Sequence, residues 1–198
     1  MAGKTPEEAV DDFVEPLRET LACILTGTVF GSGNAVGRRH GLTLYTEGQS
    51  SPNVARLSTH GGEGDLLFQL VHLYADVPVP RGDQRGAYEV RTSFYHYRIL
   101  DREENELVVY HWEPEGISPV RMPHLHVPAA PSLVLPQRAG SRQSSEKTHL
   151  GKFHLPTGWI TIEAIAELLI RDFKVDPRNS NWEDVLRRSR ATAGAGQM

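Results

Sequence analysis

Apolar residues recur at helical spacing near both ends of the chain. The N-terminal pattern follows Thr5 and Pro6, a residue pair that suits the first turn of a helix. Pro16 lacks a backbone N–H, so we expect this helix to kink or end there. Thr161 precedes a second helical pattern, and a shorter helix is expected around Trp182. The pattern therefore predicts helices at the two ends of the chain.

Between these helices the apolar residues form short runs rich in β-branched and aromatic side chains, which is the pattern of strands. The glycine-rich segment 31–37 lacks the Gly-x-Gly-x-x-Gly spacing of a dinucleotide-binding loop, so we expect a turn or a mobile loop there. Together the elements predict an α+β fold, in which a mainly antiparallel β-sheet is packed by the N-terminal and C-terminal helices. Short strands are expected over residues 21–30, 42–46, 54–58 and 65–74.

The strongest strand prediction is a hairpin with arms over residues 88–100 and 106–112, joined by the polar turn 101–105. Symmetric pairing about that turn predicts which side chains share a face, and a shift of one residue would exchange the two faces. One face would carry Tyr95, Tyr97, Ile99, Leu107, Val109 and His111. The opposite face would carry His96, Arg98, Val108 and Tyr110.

Chain length and composition predict how this fold is organised. The 198 residues suit one domain spanning the whole sequence. Residues 129–148 are rich in proline, serine and glutamine, so we expect an exposed, mobile loop there, and residues 191–198 are expected to be a frayed tail.

Net charge and the cysteine count restrict the class of protein. The net charge of −4 argues against a generally basic nucleic-acid binder but not against a local basic patch. Cys23 is the single cysteine, so no intrachain disulfide forms and a buried thiol is expected. The sequence has neither a leader pattern nor an apolar run of about 18 residues, so we expect a cytoplasmic protein with no membrane partner.

Histidines are the residues that most clearly indicate chemistry. His124 and His126 are two positions apart on a short predicted strand, which places both imidazoles on one face. His111, at the end of the hairpin, and His154, before the C-terminal helix, are the candidates to join them. The other histidines are expected to have structural or solvent-exposed roles, and they are His40, His60, His72, His96 and His149.

Two kinds of enzyme site fit these residues. In a metal-free acid–base site, one imidazole accepts a proton while another donates one. In the alternative, His124 and His126 are ligands of a divalent transition metal such as zinc, with His111 or His154 as a third ligand and Glu113 or Glu115 as a carboxylate ligand. RNA or a small phosphorylated substrate would suit the first kind of site, and its anionic groups would be bound by Arg98, Arg121 or Lys152.

Two hypotheses in which the protein is not an enzyme are also consistent with the sequence. His124 and His126 would be ordinary edge-strand residues if their imidazoles only bond to neighbouring backbone, and the nearby Pro123 and Pro128 favour an edge strand. The chain would be a protein-interaction module if its 129–148 loop or the arginines of its last helix bind a partner protein. Its oligomeric state does not follow from the sequence.

Four segments of the C-terminal half occur in a characteristic order: Tyr95–Asp101, Tyr110–Pro114, Pro123–His126 and His154–Gly158. With the helix and Trp182 that follow, residues 95–186 resemble a group of bacterial proteins similar to the TumE-type toxins of toxin–antitoxin systems. Where that family has Asp-Asn-Ala-Pro-His-His and Pro-His-His-x-His segments, this chain has Tyr-His-Trp-Glu-Pro and Pro-His-Leu-His. The resemblance implies a small α+β protein that is either a ribonuclease-like toxin, with a cognate antitoxin as partner, or a descendant of such a toxin kept for another role.

Overall fold

The computed structural model of the chain describes residues 2–36, 39–45, 53–60, 62–79, 88–128, 132–134, 147–149 and 153–193. Three helices and eleven strands are present in this part of the chain. In chain order they are β1 (Ala2–Gly3), α1 (Pro6–Ala22), β2 (Thr28–Val36), β3 (Arg39–Tyr45), β4 (Val54–Thr59), β5 (Gly62–Pro78), β6 (Tyr88–Asp101), β7 (Glu106–Trp112), β8 (His124–His126), β9 (Ser132–Val134), β10 (Lys147–His149), β11 (Leu155–Pro156), α2 (Ile162–Arg171) and α3 (Trp182–Ala193).

Nine of the strands form one antiparallel sheet. Its central path runs β11-β8-β7-β6-β5-β3-β2, while β1 pairs with the start of β6 and β4 pairs with β5. The remaining strands, β9 and β10, form a separate antiparallel pair. The predicted α+β class, with a mainly antiparallel sheet and helices from both ends of the chain, is confirmed.

One face of the sheet packs against the helices. Phe68 and Leu70 of β5 alternate with more exposed neighbours and join Tyr97 of β6 in a core that includes Phe13 of α1 and Ile165 of α2. Burying one such large apolar side chain stabilises the fold by about 1.5–3 kcal/mol. Because side chains alternate across a strand, the residues between these core positions project from the opposite face of the sheet.

The two helix caps predicted from threonines are present. The side chain of Thr5 accepts a hydrogen bond from the Glu8 backbone at the start of α1, and Thr161 accepts one from Ala164 at the start of α2. Pro16 was expected to kink or end α1; it does not end the helix, which continues to Ala22.

Two strand predictions near the N-terminus need correction. The strand expected over residues 21–30 begins only at Thr28, because Leu21 and Ala22 complete α1. A short apolar run does not by itself distinguish a buried helix end from a buried strand. The turn or mobile loop expected over residues 31–37 is also wrong for residues 31–36, because β2 continues to Val36 through a register shift between Ser32 and Val36 in its pairing with β3.

The predicted hairpin is β6 and β7, but its register differs from the symmetric one. Leu100 pairs with Glu106 as symmetry requires, whereas Ile99 pairs with Val108, so Leu107 is an extra residue in the ladder. Beyond this bulge every pair is shifted by one, and His96 lies opposite His111. The predicted distribution of β7 side chains between the two faces is therefore wrong.

Two further expectations fall largely outside the described residues. Of the 129–148 loop, the structure describes only β9 and the first residues of β10, and of the 191–198 tail only the part that continues α3 to Ala193. Among the described residues, no helix has the length and apolar character needed to cross a membrane.

Candidate functional site

The strand β8 brings three histidines together on the face of the sheet opposite the helices. It lies between β7 and β11, with His124 opposite His111 and His126 opposite Val109. Directly opposite residues in a ladder share a face, so His124 and His126 lie on the same face as His111. One ring nitrogen of each of these three histidines lies within 4.8 Å of the others.

His154 completes the group predicted from the sequence. It immediately precedes β11, the strand that pairs with β8. The centroid of its ring lies 4.7 Å from that of His124 and 4.6 Å from that of His126. The structure therefore places His111, His124, His126 and His154 next to one another, and we refer to these four residues as the histidine cluster.

His124 is the most constrained member of the histidine cluster. It is 2 % exposed, and its Nδ1 lies 2.8 Å from the carbonyl oxygen of Met122. A carbonyl only accepts hydrogen bonds, so Nδ1 carries the proton and, in the neutral ring, Nε2 carries the lone pair. That Nε2 atom is buried and has no hydrogen-bond partner among the described residues. An orphaned buried acceptor costs about 1–3 kcal/mol, which makes this nitrogen a candidate ligand atom.

His111 lies between His96 and His124 in one row across β6, β7 and β8, and its side chain is partly exposed. Its Nε2 is 3.5 Å from a carboxylate oxygen of Glu113, one of the two carboxylates considered as metal ligands. Burial lowers the pKa of His111 below its usual value; a protonated His124 would lower it further, and Glu113 acts in the opposite direction. His111 is therefore mainly neutral near pH 7, which is the form that binds metals or accepts a proton.

His96 was expected to have a structural or solvent-exposed role, and the structure places it beside the histidine cluster. Its ring centroid is 4.9 Å from that of His111, the residue opposite it in the ladder. Burial and the neighbouring Arg98 lower the pKa of His96 to about 3, so its ring is neutral. Its Nε2 accepts a hydrogen bond from Nε of Arg98, 3.1 Å away. The signal in the sequence was its two-residue spacing from Arg98, which was itself a predicted site residue.

The structure describes two of the three predicted anion-binding residues, and these two differ in their position relative to the histidine cluster. Arg98 projects from the same face as the histidine cluster, opposite Val109 in the ladder. Arg121 is exposed, and its guanidinium donates a hydrogen bond to the carbonyl of Pro114. Lys152 lies outside the described residues.

The remaining histidines that the structure describes in full take other partners. His72 is buried on the helix-covered face, where its two ring nitrogens contact Tyr97 and Thr92. His40 lies 3.0 Å from a carboxylate oxygen of Asp76, and the exposed His60 pairs with Asp176.

The fold and the site define an α+β protein with a histidine cluster on the face of an antiparallel sheet opposite its helices. Neutral imidazoles with an available lone pair bind transition metals or transfer protons, and the cluster offers both chemistries. No protein-family model, curated protein or solved structure matches this chain.

Proposed function

We propose that His111, His124 and His126 bind a divalent transition-metal ion and that the chain is a metal-dependent hydrolase. The observation that carries this proposal is the buried Nε2 of His124, which has no hydrogen-bond partner among the described residues. The Nδ1–H of the same ring donates a hydrogen bond to the Met122 carbonyl. Histidines that bind a metal through one ring nitrogen usually donate a hydrogen bond from the N–H of the other. A metal at Nε2 would satisfy an acceptor that the described residues leave without a partner.

The spacing of the three nitrogens supports a shared ion. Zinc–nitrogen bonds of about 2.0–2.1 Å in a tetrahedral site place the ligand nitrogens roughly 3.3 Å apart. The ring nitrogens of the three histidines lie within 4.8 Å of one another. Side-chain rotations can therefore bring them to the separation that zinc requires. Imidazole suits zinc, copper, iron and nickel, whereas calcium and magnesium prefer oxygen ligands, so zinc is the ion with which to test the site.

The composition of the site supports a catalytic rather than a structural metal. Three neutral imidazoles leave the ion its full positive charge, and catalytic zinc sites have three protein ligands and one open position. The metal would supply a Lewis acid that polarises a substrate carbonyl or phosphoryl group. His154 is exposed and touches the rings of His124 and His126, so it lies where a substrate would approach from solvent.

Metal analysis of the chain, purified without a histidine tag and dialysed against zinc and then buffer, tests this proposal. We expect about one zinc per wild-type chain, and loss of that zinc in His111→Ala and in His126→Ala. These two residues are partly exposed, so both variants should fold. His60→Ala is the matched control, because His60 is exposed and pairs with Asp176 away from the cluster. A wild-type chain without stoichiometric metal, or cluster variants that keep it, would refute the proposal.

A metal-free hydrolase or nuclease using acid–base chemistry is the second candidate. It is favoured by the ring contacts of His154 with His124 and His126, because adjacent imidazoles can act as proton donor and acceptor. A TumE-like toxin acting on RNA, controlled by a cognate antitoxin, would be one form of it. RNA cleavage by the purified chain that persists in EDTA and is lost in His126→Ala would support this candidate. Cleavage that requires added zinc would assign the activity to the metal site.

A further inference from the structure

An open cleft of about 260 Å³ lies on the same face as the histidine cluster. The buried Val109 of β7 lies between Arg98 of β6 and His126 of β8 in one row across the three strands. Adjacent strands are about 4.8 Å apart, so the backbones that carry the arginine and the histidine are roughly 10 Å apart. The cleft is lined by His96, Arg98, Glu106, Val109, His111, His126 and Pro128.

Arg98 is held in place by polar neighbours. Its Nε donates to Nε2 of His96, and one terminal nitrogen donates to the side-chain oxygen of Gln69, 3.0 Å away. Its Nε also lies 3.2 Å from a carboxylate oxygen of Glu106. The side chain of Arg98 is nevertheless 36 % exposed. A guanidinium has five N–H donors, so these contacts orient the group and leave donors for a ligand.

We propose that this cleft binds the phosphoryl group of a phosphate-ester substrate, with Arg98 on one side of the group and the histidine-bound metal on the other. This inference rests on the proposed metal site. A metal held by three neutral imidazoles keeps its positive charge, so the cleft would have a cationic centre on each side of its apolar Val109 floor. A phosphoryl group is anionic and directs its oxygens in several directions, so it can contact both centres at once. A neutral carbonyl ester offers one oxygen without charge, and a carboxylate offers two in a single plane.

Glu106 should affect how strongly the cleft binds an anion. Its carboxylate pairs with Arg98 at the cleft, and its side chain is 38 % exposed. The negative charge orients the guanidinium but repels an incoming anion. Phosphate binding should therefore strengthen when this charge is removed and hydrogen-bonding capacity is kept, as in Glu106→Gln.

Calorimetric titration of the zinc-loaded chain, freed of excess zinc, with inorganic phosphate tests the cleft. We expect Arg98→Ala to weaken phosphate binding by about tenfold to hundredfold, the loss typical of a hydrogen bond to a charged group. Zinc content should not change. Glu106→Gln should bind phosphate several-fold more tightly than the wild type. Arg91→Ala is the control, because Arg91 is also on β6 but pairs with Glu89, near the start of that strand.

The outcomes separate the cleft from the metal site. If the wild type binds zinc but Arg98→Ala and Glu106→Gln leave phosphate affinity unchanged, the phosphoryl cleft is wrong and the metal site stands. Acetate binding as tight as phosphate binding would also overturn the proposed substrate class. If Arg98→Ala fails to fold, Glu106→Gln tests the cleft by itself. Tighter phosphate binding by this variant supports the cleft, and unchanged or weaker binding overturns it. A wild-type chain that holds no zinc refutes the proposed function itself.

Discussion

The Nδ1 atom of His124 lies 2.8 Å from the carbonyl oxygen of Met122, two residues earlier in the chain. This contact assigns the proton of the neutral ring to Nδ1 and leaves the buried Nε2 as the acceptor. The local backbone before β8 therefore selects which nitrogen of His124 is available for a metal or a proton.

Zinc should stabilise the chain against heat if this nitrogen is a ligand. A ligand at 100 times its Kd adds about 2.7 kcal/mol to the free energy of unfolding. For a protein of this size, that corresponds to an increase of about 5–10 °C in Tm. Differential scanning fluorimetry with zinc, and then with EDTA, measures the shift and its reversal. His60→Ala should show the same shift as the wild type, whereas an equal shift in His126→Ala would place the bound zinc elsewhere.

Stability at acid pH should depend on His72. Burial lowers the pKa of His72 from 6.5 to about 3. Between these two values the unfolded chain binds a proton that the folded chain does not, so the free energy of unfolding decreases as the pH falls from about 6.5 toward 3. Urea unfolding at pH 7 and pH 4.5 should show that the wild type loses about 2–3 kcal/mol more than His72→Gln.

The replacement His72→Gln keeps polar atoms near Tyr97 and Thr92 but does not titrate in this range. His60→Gln is the control, because His60 is exposed and should leave the pH dependence of the wild type almost unchanged. Equal losses in the wild type and in His72→Gln would show that His72 is not the group responsible.

The N-cap of α2 should contribute to stability but not to zinc binding. The Oγ1 of Thr161 accepts a hydrogen bond from the backbone N–H of Ala164 at 3.2 Å. Thr161→Ala should therefore reduce the free energy of unfolding by about 1 kcal/mol. The expected decrease in Tm is about 2–4 °C, measured alongside zinc content. The exposed Thr26 provides the control, since Thr26→Ala should change stability by less than about 0.5 kcal/mol. A cap variant as stable as the wild type would contradict the assigned contact.

Local sequence patterns were sufficient to predict several elements of the fold. Thr5 and Thr161 marked the starts of α1 and α2, because a cap depends on residues within one helical turn. The two-residue spacing of His124 and His126 likewise placed both rings on one face, because alternation is a property of any strand. Thus the sequence by itself determined the α+β class, the hairpin and the shared face of this pair.

The position of His111 required the tertiary structure. Symmetric pairing about the hairpin turn would have placed His111 on the same face as Tyr95 and Tyr97, which pack in the core. The extra residue at Leu107 shifts the ladder and places His111 opposite His96 instead. A bulge of one residue exchanges the faces of a strand, and the packing of the whole sheet selects where it occurs.

The composition of the histidine cluster also depends on contacts distant in sequence. The pairing of β8 with β7 and β11 brings His124 to both His111 and His154. The spacing along the chain does not encode these neighbours, because strand order depends on which surfaces the whole chain can bury together. The sequence by itself determined which residue types could carry chemistry and the face shared by His124 and His126. Only the tertiary structure decided that His111, His154 and the unexpected His96 lie beside them, since these contacts arise from long-range strand pairing.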